Sequence, residues 1–247
     1  MQTPFRAALA VLISLCIATP ALANVIVGGT RVVYQAKDGE VTVRLTNDNN
    51  APALIEAWVD AGDEKSTPDT ANTPFVVTPP LFRMEPHKEQ SLRILATANQ
   101  LPQDRESVFW LNVLEVPPKP NSPELTGKNL VQFAFRSRLK LFYRPATLQG
   151  DATKAPAQLT WKVVKEGGDY ALVAHNPSPF HITITTLTVQ AGGKSLTTDK
   201  VGMVDPMGDL HVSVPGMTAA PASNAVVSFD TINDYGSTGT TKSSVSP

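Results

Sequence analysis

Apolar and polar residues alternate along this chain in short segments that are separated by Gly, Pro, Asn and Asp. The clearest segment, Val41-Thr42-Val43-Arg44-Leu45, ends in Asn47-Asp48-Asn49-Asn50, a run typical of a turn. Further strands are predicted at residues 54–59, 75–77, 91–95, 109–116, 130–143, 159–165, 170–174, 181–189 and 226–229. Few windows have helical periodicity, so the sequence predicts an all-β fold of the sandwich type.

The dipeptide Arg144-Pro145 marks the predicted division of the chain into two domains of similar size. Proline cannot donate a hydrogen bond to a sheet, so the long strand before it should end there. Farther along, Glu166-Gly167-Gly168-Asp169 separates two strand segments and predicts a β-hairpin. The tail from residue 236 is rich in Ser and Thr and is expected to be loosely held, although part of it could form a closing strand. We predict domains at residues 24–144 and 145–247.

The first 23 residues predict a secretory signal peptide. Arg6 precedes an apolar run at residues 7–17, and Ala21-Leu22-Ala23 has the small-x-small pattern of a cleavage site. The run is shorter than the roughly 20 apolar residues of a transmembrane helix. Cleavage before Asn24 would remove Cys16, the only cysteine, so the exported protein is expected to have no disulfide bond.

Charge and histidine content exclude several classes of function. A formal net charge of −1 argues against nucleic acid or a membrane surface as partner. The histidines lie outside any H-E-x-x-H pattern, and the chain has no paired Cys ligands, G-x-S-x-G motif or glycine-rich phosphate loop. The four are His87, His175, His181 and His211. We interpret them as isolated surface residues and predict no enzyme activity, no metal and no cofactor.

A set of short motifs runs through nearly the whole mature chain. In the first half these are GTRVVY at 29–34, LTND at 45–48, TPP at 78–80, RMEP at 83–86, LPQDRES at 101–107, Asn112, VPP at 116–118 and KLFYRP at 140–145. The second half contains NPSPF at 176–180 and INDYG at 232–236. In order and spacing they resemble the periplasmic pilus (fimbrial) assembly chaperones of the chaperone–usher pathway.

This resemblance implies two immunoglobulin-like β-sandwich domains arranged at an angle, with a cleft that holds a pilus subunit. The subunit is an incomplete sandwich whose missing strand leaves an apolar groove and unpaired backbone groups. The chaperone lends it a strand, a known form of β-augmentation, and an outer-membrane usher receives it. The implied location is the periplasm. A short segment at residues 118–129 and the absence of a mature cysteine agree with the short-loop class of the family.

Val131, Phe133 and Phe135 are the predicted donor residues. Their alternation with Gln132 and Ala134 places the three on one face of an extended strand. From spacing alone, that face would more often pack into the protein's own core. The resemblance instead aligns them with the family's exposed donor residues, which fill the groove of the subunit.

Arg31 and Lys140 align with the two cleft cations that bind the C-terminal carboxylate of the subunit and so set the register of pairing. Without the resemblance, each would be interpreted as a solvated surface charge. An odd number of positions separates Lys140 from Phe135, so a bulge or twist is expected between them if they share a face. Arg136 and Arg138 could compete for the anchoring role, and the KLFYR match selects Lys140.

Three further charges, Glu106, Arg144 and Asp234, align with the interdomain network of the family, although each could be an unrelated surface charge. The resemblance also suggests a cis bond at Thr78-Pro79. The alternative function is an exported immunoglobulin-like adhesin or structural subunit. A subunit would have a donor extension at its N-terminus, whereas the mature chain here is expected to begin almost directly with the first strand.

Overall fold

The computed structural model describes residues 25–97, 101–119, 131–166, 168–191, 193–222 and 225–246. Within them it contains seventeen β-strands and two short 3-10 helices, Ala36–Asp38 and Ala155–Gln158. The all-β prediction is confirmed. The predicted signal peptide lies outside the described residues, as does most of the predicted loop at 118–129.

The first nine strands form a sandwich of two sheets. They are β1 Val25–Val27, β2 Arg31–Gln35, β3 Glu40–Asn47, β4 Ala53–Asp60, β5 Phe75–Thr78, β6 Leu81–Met84, β7 Glu89–Ala96, β8 Ser107–Val116 and β9 Phe135–Arg144. One sheet has the order β1-β3-β7-β5 and the other β2-β9-β8-β4-β6. Alternating apolar residues point into the space between the sheets, where Leu45 and Leu92 meet Ile55, Leu111 and Leu141, all 0% exposed.

The last eight strands form a second sandwich with a separate core. They are β10 Thr160–Glu166, β11 Asp169–His175, β12 Ile182–Ala191, β13 Lys194–Thr198, β14 Gly202–Val204, β15 Asp209–Ser213, β16 Val226–Ile232 and β17 Thr238–Ser246. The order is β13-β12-β16-β17-β10-β11-β15, with β14 beside β12. Trp161 and Phe229 meet in this core with ring centroids 5.2 Å apart. The prediction of two β-sandwich domains is thus confirmed.

The Ser/Thr-rich tail differs from the expectation that it is loosely held. It forms β17, which runs antiparallel to β16 and parallel to β10. Val245 is 4% exposed and belongs to the second core, so one apolar residue fixes a strand whose composition is otherwise polar. Strand β17 therefore joins the two layers of the second sandwich.

The strand predicted at residues 130–143 begins later, at Phe135. Its partner β8 ends at Val116, and Glu115 is paired with Phe135. Pro117 and Pro118 follow and have no N–H to donate, which ends the ladder at this point. Residues 131–134 consequently lie outside the sheet. The Thr78-Pro79 bond is cis, as the resemblance suggested.

The turn between β16 and β17 packs against the first domain. Gly236 has φ +81°, a conformation that side chains with a Cβ rarely adopt, and an added Cβ would overlap the Thr30 hydroxyl, just before β2. Nearby, the Glu106 N–H donates to the Pro179 carbonyl across the domain boundary at 2.9 Å. The two domains thus meet through close backbone contacts.

Gly236→Ala should therefore destabilise the protein more than a glycine replacement with the same backbone strain alone. The matched control is Gly39→Ala, because Gly39 has φ +76° and open space around its Cβ position. We expect the control to lose about 1 kcal/mol of unfolding free energy and Gly236→Ala at least about 1 kcal/mol more. Urea denaturation of both variants measures the difference, and equal losses would show that the turn is not held against Thr30.

Candidate functional site

Strand β9 places its alternate residues on two different surfaces. Its pairing with β8 runs from Ser107↔Tyr143 to Glu115↔Phe135 without a change of register. The prediction of a bulge between Phe135 and Lys140 is therefore wrong, because β8 pairs with this whole stretch of β9 in one register. Leu141 and Tyr143 enter the core, so Lys140 lies on the opposite face from them and from Phe135.

The three predicted donor side chains project into solvent. Val131 is 80% exposed, Phe133 68% and Phe135 53%. The alternative that they pack into the protein's own core does not fit these exposures. The Gln132 side chain donates a hydrogen bond of 2.6 Å to the Pro117 carbonyl and so ties the segment to the end of β8. An apolar segment is thus held beyond the edge of the first sandwich with no cover from the described residues.

Arg31 and Lys140 are direct cross-strand partners in the parallel pairing of β2 with β9. Both reach toward the second domain. Arg31 Nη1 donates to the Ile232 carbonyl at 3.1 Å, and Lys140 Nζ donates to the Thr183 hydroxyl at 3.3 Å. The two predicted anchoring cations therefore stand side by side where the two domains meet.

The surroundings of this pair leave its charge incompletely balanced. Burial lowers the pKa of Arg31 below its usual value, although the charges of Asp234 and Glu106 oppose the effect. The pKa of Lys140 is lowered first by burial and then by repulsion from Arg31. Among the described residues neither cation forms an ion pair, since the two nearby acids both bind Arg144.

Arg31 also has an unused hydrogen-bond donor. Its Nε is buried and has no partner among the described residues. Buried polar groups are nearly always satisfied, and an unpaired donor beside a second cation suits an incoming anion. The arrangement can thus bind one carboxylate with a guanidinium and an ammonium together.

Arg144 brings together the three residues predicted to form the interdomain network. Its Nε donates to Glu106 Oε1 at 2.7 Å, and its Nη1 and Nη2 donate to the two carboxylate oxygens of Asp234, both at 2.7 Å. The Arg144 side chain is 10% exposed and that of Glu106 is 1% exposed. Arg144 and Glu106 belong to the first sandwich and Asp234 to the second, so this ion-pair cluster crosses the boundary.

His181 is a fourth member that the sequence analysis missed. The Glu106 Oε2 atom accepts its backbone N–H at 2.8 Å and lies 2.8 Å from its Nδ1. The side chain is 5% exposed and packs against the Phe142 ring, so its interpretation as an isolated surface residue is wrong. No local pattern distinguishes His181 from the other histidines, because its burial arises only when the two domains meet. Those others, His87, His175 and His211, are hydrogen-bonded on exposed surfaces.

The two arginines considered as competitors of Lys140 already have partners. Arg138 binds the Asp60 carboxylate through two hydrogen bonds of 2.7 and 3.1 Å. Arg136 donates to the Asn112 side-chain oxygen at 2.6 and 2.8 Å and to the Glu64 carbonyl at 2.7 Å. Among the described residues, Arg31 and Lys140 are thus the cations near the domain boundary that bind no carboxylate.

Comparison with known proteins identifies the family to which this geometry belongs. Residues 24–149 match the family described as pili and flagellar-assembly chaperone, PapD N-terminal domain, and residues 154–243 match pili assembly chaperone PapD, C-terminal domain. The chain belongs to the pilus-assembly chaperones. The family relationship that the motifs suggested is thereby confirmed.

Individual members of the chaperone family match over almost the whole chain. The probable fimbrial chaperone YadV of Escherichia coli K12 is 38% identical over 236 residues, 95% of each chain. A crystal structure of YadV superimposes with a TM-score of 0.75 at 37% identity, covering 90% of this chain and 100% of that one. The SafB chaperone, solved in complex with the Salmonella enterica SafA pilin, gives 0.70 at 30% identity, covering 92% and 98%.

Removing Arg144 should show how strongly the network contributes to stability. Arg144→Met leaves the Glu106 carboxylate, 1% exposed, without its cation, and we expect the unfolding free energy to fall by about 3 kcal/mol. Arg93→Met is the control, because Arg93 and Glu40 form an exposed pair whose loss should have a much smaller effect. Urea denaturation followed by intrinsic fluorescence compares them. Similar small losses would contradict a stabilising role for the network.

Proposed function

We propose that this protein is a periplasmic chaperone that binds and stabilises pilus subunits by donor-strand complementation and delivers them to an outer-membrane usher. The single observation that carries the proposal is the exposed apolar segment of Val131, Phe133 and Phe135, which no described residue covers and which leads into the start of β9. The family match and the chaperone–pilin complex of SafB support it. They favour it over the alternative of an adhesin or structural subunit.

Family membership also bears on activity and location. Pilus-assembly chaperones are a non-enzymatic class of periplasmic proteins, and the described residues contain no cluster of three potential metal ligands. No helix in the described part of the chain has the length and hydropathy to cross a membrane. Export through a signal peptide cleaved between Ala23 and Asn24 stays a prediction.

The pairing pattern of β9 leaves an edge where a subunit strand would add. Strand β2 begins at Arg31, opposite Lys140, so the residues of β9 before Lys140 pair only with β8 among the described strands. The chain before β2 turns away, with the Gly28 N–H donating to the Arg44 carbonyl of β3. An added strand would therefore pair with β9 before Lys140, on the edge that β2 pairs with from Lys140 onward.

This edge also fixes the direction of the added strand. A strand that pairs with the donor segment and ends at the cation pair must run parallel to β9, so that its last residue meets Arg31 and Lys140 head-on. The terminal carboxylate then accepts hydrogen bonds from both cations. The apolar side chains meanwhile enter the groove of the subunit from the other face of β9, and each buried phenylalanine contributes about 2 kcal/mol.

Lys140→Met tests the anchoring proposal. Loss of one charge-assisted hydrogen bond should weaken subunit capture by about 2 kcal/mol, or roughly 30-fold, without unfolding the chaperone. The readout is competition between tagged wild-type and variant chaperone for a refolding pilus subunit from the same genome. Lys162→Met, at an exposed lysine of β10, is the matched control and should compete as wild type does. Normal capture by Lys140→Met would contradict the anchoring role.

Phe133→Glu tests the donor proposal in the same assay. A carboxylate brought into an apolar groove is strongly disfavoured, so the soluble one-to-one complex with the subunit should be lost. Val226→Glu is the control, since Val226 is another exposed apolar residue, at 49%, on β16 of the second domain. Circular dichroism distinguishes the two interpretations: if Phe133→Glu unfolds, the side chain belongs to the protein's own core.

A further inference from the structure

One cross-strand row links the cation pair to a buried acid three strands away from β2 on the same face of the sheet. Asp60 is paired with Trp110, Trp110 with Lys140, and Lys140 with Arg31, so these residues lie opposite one another on β4, β8, β9 and β2. Opposite residues on neighbouring strands share a face. The indole of Trp110 is the floor of this row, with Lys140 Nζ 5.7 Å from its ring centroid.

Arg138 lies on the same face and over the same ring. Its guanidinium carbon is 4.2 Å from the Trp110 centroid, and it precedes Lys140 by two residues on β9. The two cations therefore present similar sites for a carboxylate, about 7 Å apart along the strand. A guanidinium would even hold a carboxylate more firmly than an ammonium does, because it can donate two parallel hydrogen bonds.

This second cation creates a problem of register. A slip of one residue turns every groove-filling side chain to the wrong face, but a slip of two residues restores the pattern. The apolar fit of the donor segment consequently discriminates poorly between the correct register and one shifted by two. Only the position of the terminal carboxylate distinguishes them, and an available Arg138 would accept the shifted one.

Asp60 removes this alternative. Its side chain is 1% exposed, and its two oxygens accept the Arg138 hydrogen bonds of 2.7 and 3.1 Å. Asn112 Nδ2 at 2.7 Å and the Gly62 N–H at 2.6 Å hold the same carboxylate in place. Burial by itself would raise the pKa of Asp60, but these hydrogen bonds outweigh it and keep the pKa below the usual value. Arg138 is thus neutralised mainly by a buried acid that stays ionised, and the exposed Glu64 carboxylate lies farther away, 3.7 Å from Arg138 Nη1. Asp60 is also 3.7 Å from Arg136 Nη2, but its hydrogen bonds are to Arg138.

We propose that Asp60 determines the register of subunit capture by occupying Arg138, so that a terminal carboxylate can bind only at Lys140 and Arg31. The inference rests on the proposed function and adds a positioning residue to it. Asp60 contacts no subunit atom in this account. It acts by withholding a competing cation two residues away from the anchoring pair.

The experiment uses Asp60→Asn, a replacement of the same shape that removes the charge, and Asp60→Ser, which still offers an acceptor to Asn112. The probe is the pilus subunit that the wild-type chaperone captures, prepared at full length and with one or two C-terminal residues deleted. A subunit shortened by two residues should end at the level of Arg138, with the donor side chains still facing its groove. One shortened by one residue would be out of phase at either cation.

We expect wild-type chaperone to capture the full-length subunit and to bind the form shortened by two residues at least about tenfold more weakly than the full-length form. The Asp60 variants should bind the form shortened by two about tenfold more tightly than wild type does, and should show no such gain for the form shortened by one. Adding Arg138→Gln to Asp60→Asn should restore the wild-type discrimination, and Arg138→Gln alone should leave it unchanged. Folding is checked by circular dichroism and by capture of the full-length subunit.

The possible results distinguish failure of the Asp60 role from failure of the proposed chaperone function. Failure of the wild-type protein to capture any full-length subunit would overturn the proposed function itself. Capture of the full-length subunit, combined with unchanged rejection of the form shortened by two in the Asp60 variants, would overturn only the role of Asp60. Equal recovery for both shortened forms would also overturn it, because it would indicate a general loosening of the site.

Discussion

Regular pairing of β9 between β2 and β8 is the constraint on which the rest of the site depends. It places Lys140 beside Arg31 and turns both toward the second domain, and no described strand pairs with the β2 side of β9 before Lys140. The same regularity sends Phe135 to the opposite face. A bulge between Phe135 and Lys140 would have put donor and anchor on one face. One uninterrupted ladder thus gives the strand a groove-filling side and an anchoring side.

The distribution of acids decides which cations remain available. Glu106 and Asp234 both bind Arg144, and Asp60 binds Arg138. These acids are therefore committed to structural partners, and at the domain boundary Arg31 and Lys140 have no ion pair among the described residues. Because burial disfavours an uncompensated charge, binding of an anion beside these two cations is favourable.

The exposed donor segment has an evident disadvantage for a free protein. Three exposed apolar residues at and before the start of an edge strand are the kind of feature that leads to association or aggregation. The hydrogen bond from Gln132 to Pro117 and the two prolines after β8 restrain the segment without covering it. Retaining such a surface makes sense physically when it is matched to a partner that needs an additional strand, as the family relationship indicates.

Much of the fold was readable from local pattern. Alternation and turn residues located most strands of both sandwiches, because a strand with one buried face requires period-two patterning wherever it occurs. For the polar tail, the expectation of a loosely held segment was wrong and the alternative of a closing strand was right, since the buried Val245 fixes β17 and composition does not reveal it. The motifs gave the family and pointed to Arg31, Lys140 and Arg144 as site residues.

The sequence by itself thus determined the all-β class, the two sandwiches and the family. Only the tertiary structure decided that Lys140 faces the second domain, that His181 is buried against Glu106, and that Arg138 is occupied by Asp60. Each of these contacts joins residues at least 43 positions apart in the chain, so local periodicity cannot encode it. Pairing of strands and docking of domains create such contacts, because a side chain's neighbours across a sheet or an interface are set by register and not by its own segment.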